Sequence, residues 1–313
     1  MIKVDLITGY LGAGKTTFLK KYAKYFIERG KKVGILENDY GAVNVDMLLL
    51  NELRGDKCEL EMVAGACDDD CHKRRFKTKL ISMGMSGYDR VIIEPSGVFD
   101  VDEFFDSLRE EPLEHWYEIG NVIAIVDSKT EDNLSDYSQY FLASQVAKAG
   151  AIVLSKTRFL KEDEINNKKE MIKRIAINAG VQKKLTPFIM GKNWDDFTTD
   201  DWDRLANCSY RGNDLVKKHT VGNSGYSSVY FLDNTNVKVN LTEKIKTLFA
   251  DDSFGNVFRI KGFFEENNQW HQVNATKEEV LISDIPVGQE VMIVIGEGLN
   301  EDKIRNYMDT TNV

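Results

Sequence analysis

Apolar and polar positions follow two rhythms along this chain, and the change between them falls near Trp202. Before it, short apolar runs at residues 3–8, 32–36, 90–94, 122–126, 151–154 and 187–190 read as strands. Between them lie polar or glycine-bearing turns and segments with helical periodicity. The stretch from about Lys15 to Arg29 is the clearest of these, with Phe18, Leu19, Tyr22 and Phe26 on one face. Near-continuous apolar strands alternating with helices predict an α/β domain whose mostly parallel sheet is covered by helices on both faces.

After Trp202 a polar, glycine-bearing stretch at 211–225 reads as a linker. Strands then read at 228–232, 256–260, 270–273 and 291–295, with a helix near 241–249 and a closing helix at 301–308. The expected organisation is a domain over 1–215 and a smaller α+β domain over 216–313. That division agrees with a chain of 313 residues, about two domains at roughly 150 residues each. Lys+Arg number 41 against 50 Asp+Glu, a net charge of −9, which argues against a general nucleic-acid or anionic-membrane binder. No apolar run approaches the roughly 18 residues of a membrane span. The chain turns into a strand directly after Met1, so no signal peptide is expected and the reading is cytoplasmic. Three of the four cysteines, Cys58, Cys67 and Cys71, fall close together. They read as reduced, metal-binding thiols rather than a secreted disulfide framework.

The strongest chemical signal is Gly9-Tyr-Leu-Gly-Ala-Gly-Lys-Thr-Thr17, which fits G-x-x-x-x-G-K-[ST] between the first strand and the first helix. Gly9, Gly12, Ala13 and Gly14 let the backbone curl so that its N–H groups point at phosphates, and the helix adds its partly positive N-terminus. Lys15 would reach the β- and γ-phosphates, Thr16 would ligate Mg²⁺, and Thr17 completes the motif. The strand at 90–94 delivers Glu94 to the C-terminal edge of the sheet, where ligands of open α/β sheets bind. Glu94 is placed to hold the magnesium shell or sense the γ-phosphate. Asp127, which closes the next strand, has a weaker claim.

With Glu37-Asn-Asp-Tyr-Gly41, Asp46, Glu94-Pro-Ser-Gly97 and the segment from Gln145 to Lys156, the pattern resembles the CobW-like family of P-loop GTPases. The resemblance extends to Val257-Phe-Arg-Ile-Lys-Gly262 and Val294-Ile-Gly-Glu-Gly-Leu299 near the C-terminus. It implies a P-loop NTPase that uses GTP and Mg²⁺ to deliver a transition metal (Zn²⁺, Co²⁺ or Ni²⁺) or to support metal-cofactor assembly. A client metalloprotein or assembly protein would be the partner. No nucleic acid and no membrane are implied, and a homodimer stays open. In this reading Asp46 lies near magnesium, Asp39 or Glu94 orients the attacking water, and Ser155 and Lys156 lie at the base.

Three departures stand out. The family's Cys-x-Cys-Cys is here Gly65-Ala-Cys67-Asp-Asp-Asp-Cys71-His72, so Cys67, Cys71 and His72 become the candidate transition-metal ligands. Cys58 is considered as a completing ligand, and Cys208 as structural. The first switch reads Asn38-Asp39-Tyr40-Gly41-Ala42 and lacks the family's second acid. The guanine-reading Asn-Lys-x-Asp is replaced by Ser155-Lys156-Thr157-Arg158, and an arginine offers no acceptor to guanine. Either another acid supplies that contact or base selectivity is relaxed, which keeps ATP beside GTP. With no arginine finger evident, slow hydrolysis is expected.

A nucleotide-dependent regulatory module that carries no metal is the competing reading, and a small-molecule kinase a third. His115-Trp116 and Trp270-His271 read as surface packing, and the acidic stretch at 195–203 as a solvated face.

Overall fold

The computed structural model describes residues 1–10, 12–38, 49–63, 69–95, 101–130, 136–178, 188–211, 226–232, 238–277, 279–286, 288 and 290–309. At 69, 70, 72, 102, 103, 136, 137, 140, 141 and 226 the description is of backbone alone. The chain divides into two compact units, Met1–Lys217 and Lys218–Val313.

The first unit runs β1 (Ile2–Gly9), α1 (Lys15–Glu28), β2 (Val33–Asn38), β3 (Cys58–Val63), α2 (Asp69–Gly84) and β4 (Arg90–Pro95). It continues with α3 (Val101–Leu108), α4 (Leu113–Trp116), β5 (Tyr117–Asp127), α5 (Asp136–Ala147) and β6 (Ala151–Ser155). Finally come α6 (Glu162–Asn178), β7 (Phe188–Met190) and α7 (Thr199–Ala206). The strands form one sheet in the order β3-β2-β4-β1-β5-β6-β7, parallel at every junction.

Burial on both faces explains the uninterrupted apolar strands. One face packs Val4, Leu6, Leu36 and Ile93 against Phe76, Phe104, Leu142 and Ile172 of the helices. The other packs Ile7, Ile35, Ile92 and Ile125 beneath Phe18, Leu19, Tyr22 and Phe26 of α1. Helix α1 stops at Arg29, where Gly30 takes φ 77° and the chain leaves in the left-handed conformation that glycine tolerates. Thr198 starts α7 with a reciprocal capping box, accepting from the Asp201 backbone while Asp201 accepts from its own.

The second unit contains β8 (Tyr226–Leu232), α8 (Leu241–Ala250), β9 (Asn256–Glu266), β10 (Gln269–Ala275), β11 (Val280–Ile285), β12 (Val291–Glu297) and α9 (Glu301–Met308). Its sheet, ordered β11-β10-β9-β12-β8, is antiparallel. Val229, Ile260, Val273 and Val294 pack against Ile245 and Leu248 of α8 and Ile304 and Met308 of α9. Lys244 is fully buried and donates from Nζ to the Met308 carbonyl at 2.6 Å, capping the end of α9. The α/β domain with a parallel sheet and the smaller α+β domain are both as the residue pattern predicts.

Two strands and one helix start depart from that pattern. β3 alternates apolar residues with Glu59 and Glu61, and β11 has only Val280-Leu281-Ile282 before Ser283 and Asp284; each lies at a sheet edge, and neither gives a sustained apolar run. The acidic segment around Cys71 is already helical from Asp69.

Candidate nucleotide site

The candidate site lies where β1, β4, β5 and β6 end. Gly9 closes β1 at φ 150°, and a side chain there would run into the Ile125 carbonyl of the neighbouring strand. Gly12 and Gly14 take φ 74° and 90°, conformations costly for any residue with a Cβ. The Ala13 N–H donates to the Tyr10 carbonyl at 3.1 Å, so the loop turns tightly into α1. Lys15 and Thr16 are buried and Thr17 is exposed. The glycine spacing therefore produces the folded-back loop that phosphate recognition needs.

The Thr16 hydroxyl donates to Glu94 Oε1 at 2.9 Å, linking the first turn of α1 to the end of β4. Beside Glu94, in register on β2, lies Glu37, and both carboxylates are buried. Paired residues on neighbouring strands sit about 4.8 Å apart, so the edge gathers two acids. The Thr8 Oγ1 at the end of β1 is buried and without a hydrogen-bond partner among the described residues. An alcohol next to a carboxylate, at a helix N-terminus, is a donor set suited to Mg²⁺ beside a phosphate.

At the adjoining strand ends, Asp127 closes β5 in register with Ser155 of β6. Lys156 sits at φ 55° and pairs with Asp127 across 2.5 Å. The Ser128 hydroxyl donates to the Lys156 carbonyl at 3.2 Å. Ser155 Oγ is buried with no partner among the described residues. Arg158 stacks over the exposed Phe159 ring at 5.6 Å. A Cβ built on Gly14 would stand 3.9 Å from that of Ser155, so the phosphate loop and the candidate base loop are neighbours.

Gly9, Gly12, Ala13, Gly14, Lys15, Thr16, Thr17 and Glu94 thus share one edge with Ser155 and Lys156. Asp39, Asp46 and Cys67 lie outside the described residues, as does the side chain of His72. Cys71 is half-buried in the first turn of α2. Cys58 begins β3, opposite the end at which β3 leaves towards α2. β3 rises about 3.3 Å per residue, which sets Cys58 at the far end of the strand from the one that leads to α2. Burial pushes the Cys58 thiol up to about 11, so its place is in the core. Cys208 is half-buried against the same core and is pushed up to about 12, chiefly by burial.

Glu37 is the acid whose role the pattern does not suggest, although it closes an apolar strand as Glu94 does. Among the described residues, Glu111, Glu114 and His115 bring metal-ligating atoms within 4.8 Å of one another, all exposed. The neighbouring Trp116 packs over Gly84. In the acidic stretch, Asp195 and Asp201 pair with Lys21 and Lys192 at 2.8 Å each.

Residues 3–182 match the family described as CobW/HypB/UreG, nucleotide-binding domain. Among curated relatives, the zinc chaperone YjiA of Escherichia coli is 32% identical over 175 residues, covering 52% of each chain. The zinc chaperone YeiR of the same organism is 27% identical over 158 residues, covering 50% of this chain and 47% of its own. The chain spans about half the length of the curated relatives it matches. The crystal structure of Zn(II)-bound YjiA GTPase from E. coli is similar at 20% identity and a TM-score of 0.39, covering 98% of this chain and 97% of its own. With the family match extending over more than half its length, this chain belongs to the CobW/HypB/UreG nucleotide-binding family.

Proposed function

We propose that this chain is a Mg²⁺-dependent nucleoside-triphosphate hydrolase, with GTP as the first substrate and ATP as the alternative, that gates metal delivery or metal-cofactor assembly. The hydrogen bond from Thr16 to Glu94 carries the reading. It supports a first helical turn and an acidic strand end already set to share one cation. Lys15 and the amides of Gly9, Gly12, Ala13 and Gly14 hold the β- and γ-phosphates and neutralise charge as it moves to the leaving oxygen. Thr16, Asp46 and Glu94 hold Mg²⁺, which when bound supplies further charge neutralisation at the phosphates. Asp39 or Glu94 orients the attacking water. Ser155 and Lys156 border the base, where Arg158 withholds the acceptor that would select guanine.

The γ-phosphate would order the switch from Glu37 to Asp46, and hydrolysis would release it. Cys67, Cys71 and His72 follow that segment and form the proposed transition-metal ligands, with Zn²⁺ first by their chemistry and Co²⁺ or Ni²⁺ next. The two zinc chaperones among the relatives support that choice. A client metalloprotein or assembly factor is the proposed partner, and the cytoplasm the proposed compartment.

The test is phosphate release from GTP and from ATP, with and without Mg²⁺, repeated with Zn²⁺, Co²⁺ and Ni²⁺. Slow, Mg²⁺-dependent turnover that responds to one transition metal is expected, with binding lost in Lys15→Ala. Undiminished nucleotide binding by Lys15→Ala would overturn the site. Turnover indifferent to every metal would favour a regulatory module instead.

A further inference from the structure

After β7 the chain makes a single 3₁₀ turn, Trp194–Asp196, and its first residue reaches into the nucleotide edge. The Trp194 indole N–H donates to the Leu154 carbonyl at 2.8 Å, next to Ser155. Its ring meets Phe18 of α1 edge-on, with centroids 5.5 Å apart and planes at 72°. Its Cη2 lies 3.2 Å from the point at which a Cβ on Gly14 would stand. The next residue, Asp195, accepts from Lys21 Nζ at 2.8 Å. Four contacts therefore join this turn to β6, the phosphate loop and α1. The Trp194 ring lies beside the glycine whose left-handed backbone opens the helix.

We propose that Trp194 is a positioning residue for the phosphate loop. It acts through Gly14 and has no direct contact with the nucleotide. Glycine has the widest backbone freedom of any residue, and Gly14 must hold φ near 90° for its N–H and those after it to face the β- and γ-phosphates. With no side chain of its own to wedge it, its conformation is set by what it packs against, and that is the Trp194 ring. The indole is fixed in turn, by its hydrogen bond to β6 and by Phe18. The loop is thereby ordered before a nucleoside triphosphate arrives, and less entropy is lost on binding.

This inference rests on the proposed nucleotide site and makes a narrower claim. The experiment measures the affinities of Mg-GTP and Mg-ATP, the steady-state constants, and the thermal midpoint of the nucleotide-free protein. The variants are Trp194→Phe, Trp194→Leu and Trp194→Ala. Removing the ring should weaken GTP and ATP alike, by about tenfold, the equivalent of freeing one backbone residue. KM should rise with kcat within about threefold of wild type, since uniform binding is lost and the chemical step is not. Trp194→Phe keeps a ring against Gly14 and should restore affinity to within about threefold. If the alanine variant fails to fold, Trp194→Leu carries the same comparison.

A wild-type protein that binds neither nucleotide would remove the site itself. If the wild type binds, a folded Trp194→Ala or Trp194→Leu of undiminished affinity would overturn the positioning role. So would a loss confined to GTP or to ATP, because that would place the ring at the base.

Discussion

The parallel sheet buries an acid at each of its ends, and the two are held in opposite ways. Asp5, near the start of β1, is fully buried and accepts from the Tyr22 hydroxyl and the Asn121 N–H, each at 2.8 Å, and from the Arg90 guanidinium. Asn121 extends the network, donating to the Tyr22 hydroxyl at 3.0 Å and to the Ala206 carbonyl at 2.8 Å, and accepting from the Ser209 N–H at 2.8 Å. Arg90 lies over the Phe26 ring at 4.3 Å. Burial, reinforced by Asp5, raises the Tyr22 hydroxyl well above its ordinary value. At the other end Glu94 takes the Thr16 hydroxyl and stands in register with a second buried acid, Glu37. The first end is tied together by an arginine and a polar network inside the sheet. The second brings two acids to the loop that carries Lys15 and ties one of them to a helix N-terminal hydroxyl. A buried acid is thus informative through its neighbours, and only the second lies where a phosphate loop begins.

The difference is sharpest if each end is broken in turn. Arg90→Ala leaves Asp5 as a buried charge without its guanidinium, and losing one partner of a buried pair costs about 3–5 kcal/mol. Urea unfolding should show that loss, while nucleotide affinity of the folded protein stays within about twofold, since the network lies at the far edge of the sheet. Glu94→Gln should do the reverse. Turnover should fall by about 100-fold, the scale of losing one charged group at a reacting phosphate. Unfolding free energy should hold within about 1 kcal/mol of wild type, because the amide oxygen still accepts from the Thr16 hydroxyl. A Glu94→Gln protein that hydrolyses at the wild-type rate but unfolds easily would mean both ends are structural.

These two ends were not equally legible in the residues. The phosphate loop is read directly, since glycine spacing, the lysine and the following hydroxyl are local requirements of one turn. Glu94 is legible for the same reason, as the acid that ends an apolar strand. Glu37 ends its strand in the same way, and only the β2–β4 register reveals that the two acids are neighbours. Asp5 gave no signal, because a charge inside an apolar strand acquires its meaning from Arg90, 85 positions away. Trp194 is similar, since its partners Phe18 and Leu154 come from two other elements. Cys58 is near Cys67 and Cys71 in sequence, but it begins β3 at the far end of the strand from the one that leads to α2. β3 leaves no apolar run in the sequence because an edge strand alternates charge with apolar residues.

The thiols extend the comparison with the smallest effect. Cys58 is in register with Val33, which also pairs with Arg90, so it belongs to the closed end of the sheet. Cys208 lies there too, its Sγ 3.6 Å from the Ser209 carbonyl beside the Asn121 network. Burial pushes these thiols up to about 11 and about 12, whereas in the unfolded chain thiols titrate near 8.5. The sign follows from the proton count. Above about pH 8.5 the unfolded chain releases two protons that the folded one keeps, so stability falls as pH rises from there towards 11. At lower pH both states are protonated and the thiols contribute no slope. Replacing both by alanine should flatten the alkaline decline measured by urea unfolding between pH 8 and pH 10. It should leave the slope near pH 7 unchanged. At pH 8 a disulfide reagent should modify Cys58 and Cys208 about 100-fold more slowly in the folded protein than in urea, because only the thiolate attacks. Equal rates in the two states would show that the closed end of the sheet opens freely under native conditions.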